Sequence, residues 1–160
     1  MKGKRPLPIF AMILILFGVA TIILGVDEYE KYPIKFYSLE KGFKVAKKED
    51  KPVLVYIHSD TCYVCRAFLE DLSKYEDLQK TFEKFVVVKI DFLTERALAM
   101  KFGATGTPEF HIFYPNGTPM KMNGVRAVYI GYAGSPDDER VRKSLIAFLE
   151  GALRQYKSNR

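Results

Sequence analysis

Tryptophan is absent from this 160-residue chain, and cysteine occurs only twice. Glutamine and asparagine are scarce beside abundant Lys and Glu, a usage that leans towards heat-adapted proteins. No internal repeat and no low-complexity tract is present, so a repeat array is excluded. A strong excess of one charge is also missing. The formal charge is +6, but Lys2, Lys4 and Arg5 precede any domain, and the remaining 22 basic and 19 acidic side chains leave +3. That balance gives no case for nucleic-acid binding.

The two cysteines lie three apart, in SDTCYVCRAF, residues 59–68. A structural disulfide gains most by closing a long loop, and this pair would close almost none. A structural zinc site needs four ligands, and there is no second cysteine pair. The remaining common use is a redox dithiol.

One long apolar run is present. After MKGKRP, residues 7–26 (LPIFAMILILFGVATIILGV) carry no charge. Twenty helical residues span roughly 30 Å, the thickness of a bilayer's hydrocarbon core. The basic residues before the run place residues 1–6 in the cytoplasm and the rest outside. The competing reading is a cleaved signal peptide, for which the run is long and lacks a good A-x-A site. Either reading sends the chain to an oxidising, extracytoplasmic compartment. The expected organisation is a basic N-terminus (1–6), a transmembrane anchor (7–26), a connector (27–37), one domain (38–156) and a tail (157–160).

Within the connector, PIKFY offers a short edge strand. Residues 38–50 read as an amphipathic helix with Ser38 at the N-cap and Leu39, Phe43 and Ala46 on one face. VLVYIH reads as a buried strand. Apolar spacing at Cys65, Phe68, Leu69 and Leu72 starts a helix at or near the cysteines, continuing with a kink to Phe82. FVVVKID is the next buried strand. Thr94 and Glu95 open a short helix carrying Ala97, Leu98 and Phe102, ended by Gly103. EFHIFY alternates as a strand, Pro115-Asn116-Gly117 turns the chain, and residues 119–132 return as another strand with an irregular stretch at Asn123-Gly124. Ser135-Pro136 supplies an N-cap and first-turn proline for a last helix, whose face is Val141, Leu145, Phe148, Leu149 and Ala152. The order (β)-α-β-α-β-α-β-β-α predicts an α/β domain, a mixed sheet with helices on both faces.

At a helix N-terminus, Cys62 meets unpaired N–H groups and a partial positive charge that stabilise a thiolate. Cys65, a turn further in, is placed to resolve a mixed disulfide on Cys62. Arg66 adds positive potential.

KPVLVYIHSDTCYVCRAF resembles the active-site segment of the thioredoxin superfamily. VVVKIDFLTERALAMKFGATGTPEFHIFYPNGT resembles that family's second half: a strand ending in Asp, a short helix, and a G-x-P element before a hairpin. The likeness covers roughly residues 38–150. It is similar in type to membrane-tethered, extracytoplasmic thioredoxin-like proteins and to the outward-facing thioredoxin-like domain of the electron-transfer protein DsbD. The resemblance implies a thioredoxin fold and thiol-disulfide oxidoreductase activity without a cofactor or bound metal. It makes Cys62 and Cys65 catalytic and Pro108 a cis-proline. It makes Thr107, Pro108, Tyr63 and Val64 contacts for an extended substrate peptide. Two departures stand out. Tyr56 occupies the position where many thioredoxins carry a proton-shuttling Asp, so Tyr56 or a water takes that role. Thr61 replaces the usual Trp.

Asp60 and Glu109 are expected as surface carboxylates near the motif. His58 and His111 are expected as half-buried strand residues. With both cysteines they would make a Cys2His2 site, so a copper or zinc metallochaperone is one rival reading and a redox-inactive binding module another. Tyr63-Val64 lacks the histidine common in strong oxidants, which leans the dithiol towards reducing or isomerising disulfides of exported proteins. A tether would hold it near a membrane electron donor.

Overall fold

The sheet is built around the apolar run that precedes the cysteines. In the computed structural model, which describes residues 31–132 and 137–159, that run is strand β2 (Val53–His58), and every one of its residues is buried. Two strands flank it in parallel on one side: β3 (Val86–Asp91) and, beyond β3, the short edge strand β1 (Phe36–Tyr37). Antiparallel strands lie on the other side: β4 (Glu109–Phe113), then β7 (Val128–Tyr129). The order β1-β3-β2-β4-β7 is the mixed sheet that the alternating pattern predicts.

Five helices are described. Helix α1 (Leu39–Glu49) packs on β3. Gly42 permits that approach, because a Cβ there would stand 2.2 Å from Val88 Cγ2. Ser38 is at the N-cap in extended conformation, but its side chain makes no capping bond. Helices α2 (Tyr63–Lys74) and α3 (Glu76–Phe82) replace the single kinked helix read from the pattern. They are divided at Tyr75, whose extended backbone ends one and starts the other. Helix α4 (Arg96–Lys101) starts after Glu95, and Gly103 follows with φ 81°. Of the apolar residues expected on this helix, Leu98 and Phe102 pack against the core, whereas Ala97 is exposed and Ala99 is the fully buried one. Helix α5 (Glu139–Ser158) is capped by Asp138, which accepts the N–H groups of Arg140 and Val141. The expected cap Ser135-Pro136 lies outside the described residues, as does the expected anchor at 7–26. Among the described residues no helix is long and apolar enough to cross a membrane.

Residues 119–132 do not form one strand. Asn123 and Gly124 both have positive φ, 51° and 81°, so the chain doubles back there. A small hairpin of β5 (Lys121–Met122) and β6 (Val125–Arg126) results. An Asn-Gly pair is the preferred two-residue turn of this kind, because both residues tolerate the left-handed region.

Both faces of the sheet are covered, so β4 is buried at all five positions despite its alternating sequence. Val53, Val55 and Ile57 face a core shared with Val86, Val88, Ile90, Ala46 and Ala99. On the opposite face an aromatic cluster joins Tyr56, Phe68, Phe82, Phe110 and Tyr132.

Candidate active site

The dithiol sits where β2 gives way to α2. Cys62 is the N-cap of α2, with extended backbone at φ −79° and ψ 112°. Its Sγ takes the place of a capping oxygen and accepts the Cys65 backbone N–H at 3.1 Å. Ser59 shapes the turn: its carbonyl accepts the Cys62 N–H at 3.0 Å, and its hydroxyl pairs with Thr61 Oγ1 at 3.0 Å. Both cysteines are free thiols; Cys62 is half-buried and Cys65 is 2% exposed. Burial first, then the Cys62 sulfur, push Cys65 up to about 12, although the Ser59 N–H and the Thr107 side chain favour its thiolate. The accessible sulfur is thus that of Cys62 and the protected one that of Cys65.

The opposing wall is the loop between α4 and β4. Its Thr107–Pro108 bond is cis, and the Thr107 carbonyl accepts from Cys62 Sγ at 3.8 Å. Thr107 and Pro108 therefore do stand against the dithiol. Tyr63 is exposed and Val64 half-buried, both on the first turn of α2. Arg66 stands 6.0 Å from the Tyr63 ring and donates to the Asp60 carbonyl at 3.3 Å. Tyr56 is fully buried, stacked on His58 (5.4 Å) and Phe110 (5.2 Å), and packed on Phe68, one turn beyond Cys65.

Two expectations are corrected. Glu109 is not a surface carboxylate but 3% exposed, because it follows Pro108 into a strand covered on both sides. Its Oε1 accepts the N–H groups of Thr105 (2.8 Å) and Gly106 (2.7 Å) and the Thr105 hydroxyl (2.7 Å), and its Oε2 meets His111 Nε2 at 2.7 Å. Burial alone would raise its pKa; these bonds more than offset that and hold it below the usual value. Asp60 is exposed, as expected.

The histidines are buried rather than half-buried, at 4% and 1% exposure. They also diverge. His58 shares a face with Tyr56, whereas His111 pairs with Val55 on the opposite face. A Cys2His2 centre is thereby ruled out by strand alternation. His58 Nδ1 lies 3.7 Å from Asp60 Oδ1 and 4.0 Å from Asp91 Oδ2. Those separations are wider than the roughly 3.4 Å between ligands about 2.1 Å from a tetrahedral zinc. Burial lowers the pKa of His58 against the pull of both carboxylates, so the ring is neutral near pH 7.

Sequence reasoning missed a second buried carboxylate. Asp71 on α2 accepts the Tyr132 hydroxyl and, at 2.9 Å, the Asp137 N–H. It thus ties both described ends of the 133–136 segment to the helix that carries the dithiol. Burial and then that hydrogen bond raise the Tyr132 pKa. The only signal in the sequence was an acidic residue on the apolar side of α2.

The sequence from 39 to 127 matches a family model described as a thioredoxin-like domain. No curated protein matches the chain. Among solved structures, a thioredoxin from Thermus thermophilus is similar at 20% identity with a TM-score of 0.59, covering 75% of this chain and 87% of its own. A DsbH oxidoreductase is similar at 15% identity and TM-score 0.55, covering 76% and 85%. A disulphide isomerase from Xylella fastidiosa Temecula1 gives 20% identity and TM-score 0.50, covering 76% and 88%. These likenesses agree on the fold, and because the family model spans more than half of the sequence, the chain belongs to the thioredoxin-like domain family.

Proposed function

We propose that this protein is a membrane-anchored, extracytoplasmic thiol-disulfide oxidoreductase that reduces or isomerises disulfides of exported proteins. The observation that carries the reading is Cys62 at the cap of α2, half-buried, with its sulfur facing the Cys65 N–H. Negative charge on that sulfur is met by a backbone donor and by the helix N-terminus.

The Cys62 thiolate attacks one sulfur of a substrate disulfide, forming a mixed disulfide and releasing the other substrate sulfur as a thiolate that takes a proton from solvent. Cys65 then loses its proton and attacks Cys62 Sγ. The Cys62–Cys65 disulfide forms, and the second substrate thiolate departs. Two electrons have passed to the substrate. In isomerisation the released thiolate instead attacks another substrate disulfide, the thiolate freed there attacks the mixed disulfide and expels Cys62 as a thiolate, and no net electrons move. As the proton-transfer partner for Cys65, Tyr56 is the expected group, so Tyr56→Phe should lengthen the life of the mixed disulfide.

The uncharged run 7–26, with basic residues before it, supports the anchor and the outward orientation. The neutral Tyr63-Val64 centre supports reduction over strong oxidation, and an anchored reductant needs a membrane dithiol donor to restore it. The test is insulin reduction by the full chain in detergent with dithiothreitol, beside alkaline extraction of membranes. Turnover lost in Cys62→Ser, with the wild type kept in the membrane pellet, is expected. Turnover unaffected by Cys62→Ser would refute the chemistry, and extraction into the soluble fraction would refute the anchor.

A further inference from the structure

A carboxylate taken out of water costs several kcal/mol unless donors replace its hydration. Glu109 has that environment, and three of its partners come from one short segment. Oε1 gathers the Thr105 N–H, the Gly106 N–H and the Thr105 hydroxyl, all within 2.8 Å. The next two residues are Thr107, whose carbonyl faces Cys62 Sγ, and Pro108. The wall opposite the dithiol is thus gripped from behind by an anion. Apolar packing contributes little at its start, since Thr105 is exposed and Gly106 and Thr107 are half-buried.

His111, two residues along β4, fixes the carboxylate in turn. Its Nε2 lies 2.7 Å from Oε2. The ring is neutral because burial outweighs the attraction of Glu109, so Nε2 carries the proton and donates. Its Nδ1 is then a buried acceptor with no hydrogen-bond partner among the described residues. A buried anion and an unsatisfied ring nitrogen are two unfavourable features in the middle of a covered sheet face. An apolar pair there would pack more simply with Val55 and Ile57, their antiparallel partners.

We propose that Glu109, oriented by His111, is the positioning residue that fixes the Thr105–Pro108 wall against Cys62, so that an extended peptide flanking the target disulfide meets a preset Thr107 backbone. Fixing a binding backbone beforehand lowers the ordering cost of association. The inference rests on the oxidoreductase reading and names the group that sets its peptide recognition. The carboxylate touches neither sulfur, so it acts on peptide binding and not on the sulfur chemistry.

The test uses the full chain in detergent, with a short disulfide-bonded peptide as substrate, dithiothreitol as donor, and iodoacetamide as a small probe of Cys62. Glu109→Ala should raise KM for the peptide about tenfold, a loss of roughly 1.4 kcal/mol of binding, with kcat and Cys62 alkylation within about twofold. Glu109→Gln keeps an acceptor oxygen for the loop but turns an amide towards His111; its KM should rise about threefold, just under half of that free-energy effect. It carries the test if the alanine variant does not fold. Leu145→Ala, which opens a cavity in α5 far along the chain, controls for lost stability and should leave KM unchanged. An unchanged KM in a folded Glu109 variant, or the same rise in Leu145→Ala, overturns the proposal. If wild-type protein neither reduces the peptide nor alkylates at Cys62, the oxidoreductase reading fails and the proposal falls with it.

Discussion

The sulfur of Cys62 accepts the backbone N–H of Cys65 at 3.1 Å, so the two reacting residues are joined before any disulfide forms. The bond serves as a helix cap and sets the spacing of the dithiol in one contact. It exists because β2 ends at His58, Ser59 turns the chain, and the first turn of α2 closes over the cysteine side chain.

Cys65 should be silent to alkylation in the folded, reduced protein. Burial holds its thiol up to about 12, so iodoacetamide at pH 8 should label Cys62 and reach Cys65 only after denaturation. Peptide mapping by mass spectrometry reads this directly. The same shift has a stability consequence. Between pH 9 and about 12 the unfolded chain gives up this proton while the folded one keeps it, so stability falls as pH rises, by at most about 1.4 kcal/mol per pH unit. Urea titrations of Cys65→Ala should lack that part of the alkaline slope.

Acid should destabilise the domain in two windows. His58 and His111 both have pKa values lowered by burial. Asp91, Asp60 and Glu95 oppose the shift at His58 while Lys89 adds to it; at His111 Glu109 opposes it and Arg126 adds to it. Below pH 6.5 the unfolded chain binds protons that these folded rings refuse, so stability falls as pH falls. Below pH 4.5 the unfolded chain also protonates Glu109 before the folded protein does, and the fall steepens. Each group contributes up to about 1.4 kcal/mol per pH unit. His111→Gln should flatten the slope between pH 7 and 5 in urea titrations.

Gly42→Ala should destabilise by about 1–3 kcal/mol through overpacking against Val88 Cγ2. Val88→Ala, which makes room, should recover much of the loss when combined with it. Thermal melts of the two single variants and the double would show this as non-additivity.

The mixed sheet, the buried β2 and the dithiol at the start of α2 were legible in the sequence, because each rests on a local pattern. VLVYIH is an unbroken apolar run, and Cys65, Phe68, Leu69 and Leu72 repeat at helical spacing. The hairpin at Asn123-Gly124 was half legible: the sequence reads there as an irregular stretch within one strand, and the turn between two strands does not show. Burial of Glu109 and His111 was not legible. EFHIF alternates, and alternation with Glu and His reads as a solvent face; only the helices covering both sides of β4 change that. Partners from 105 and 106, in a loop that carries no apolar pattern, then make a buried carboxylate tolerable. Asp71 was hidden for a similar reason, since its partners Tyr132 and Asp137 are more than sixty residues away.

The most direct measurement is trapping with Cys65→Ser. Incubated with a disulfide-bonded peptide and analysed without reductant, this variant should accumulate a mixed disulfide at residue 62, visible by mass as the protein plus one peptide thiol. Wild type should pass through that species to an internal 62–65 disulfide. A Cys65→Ser protein that stays unmodified while folded, or an adduct of equal yield in Cys62→Ser, would contradict the account.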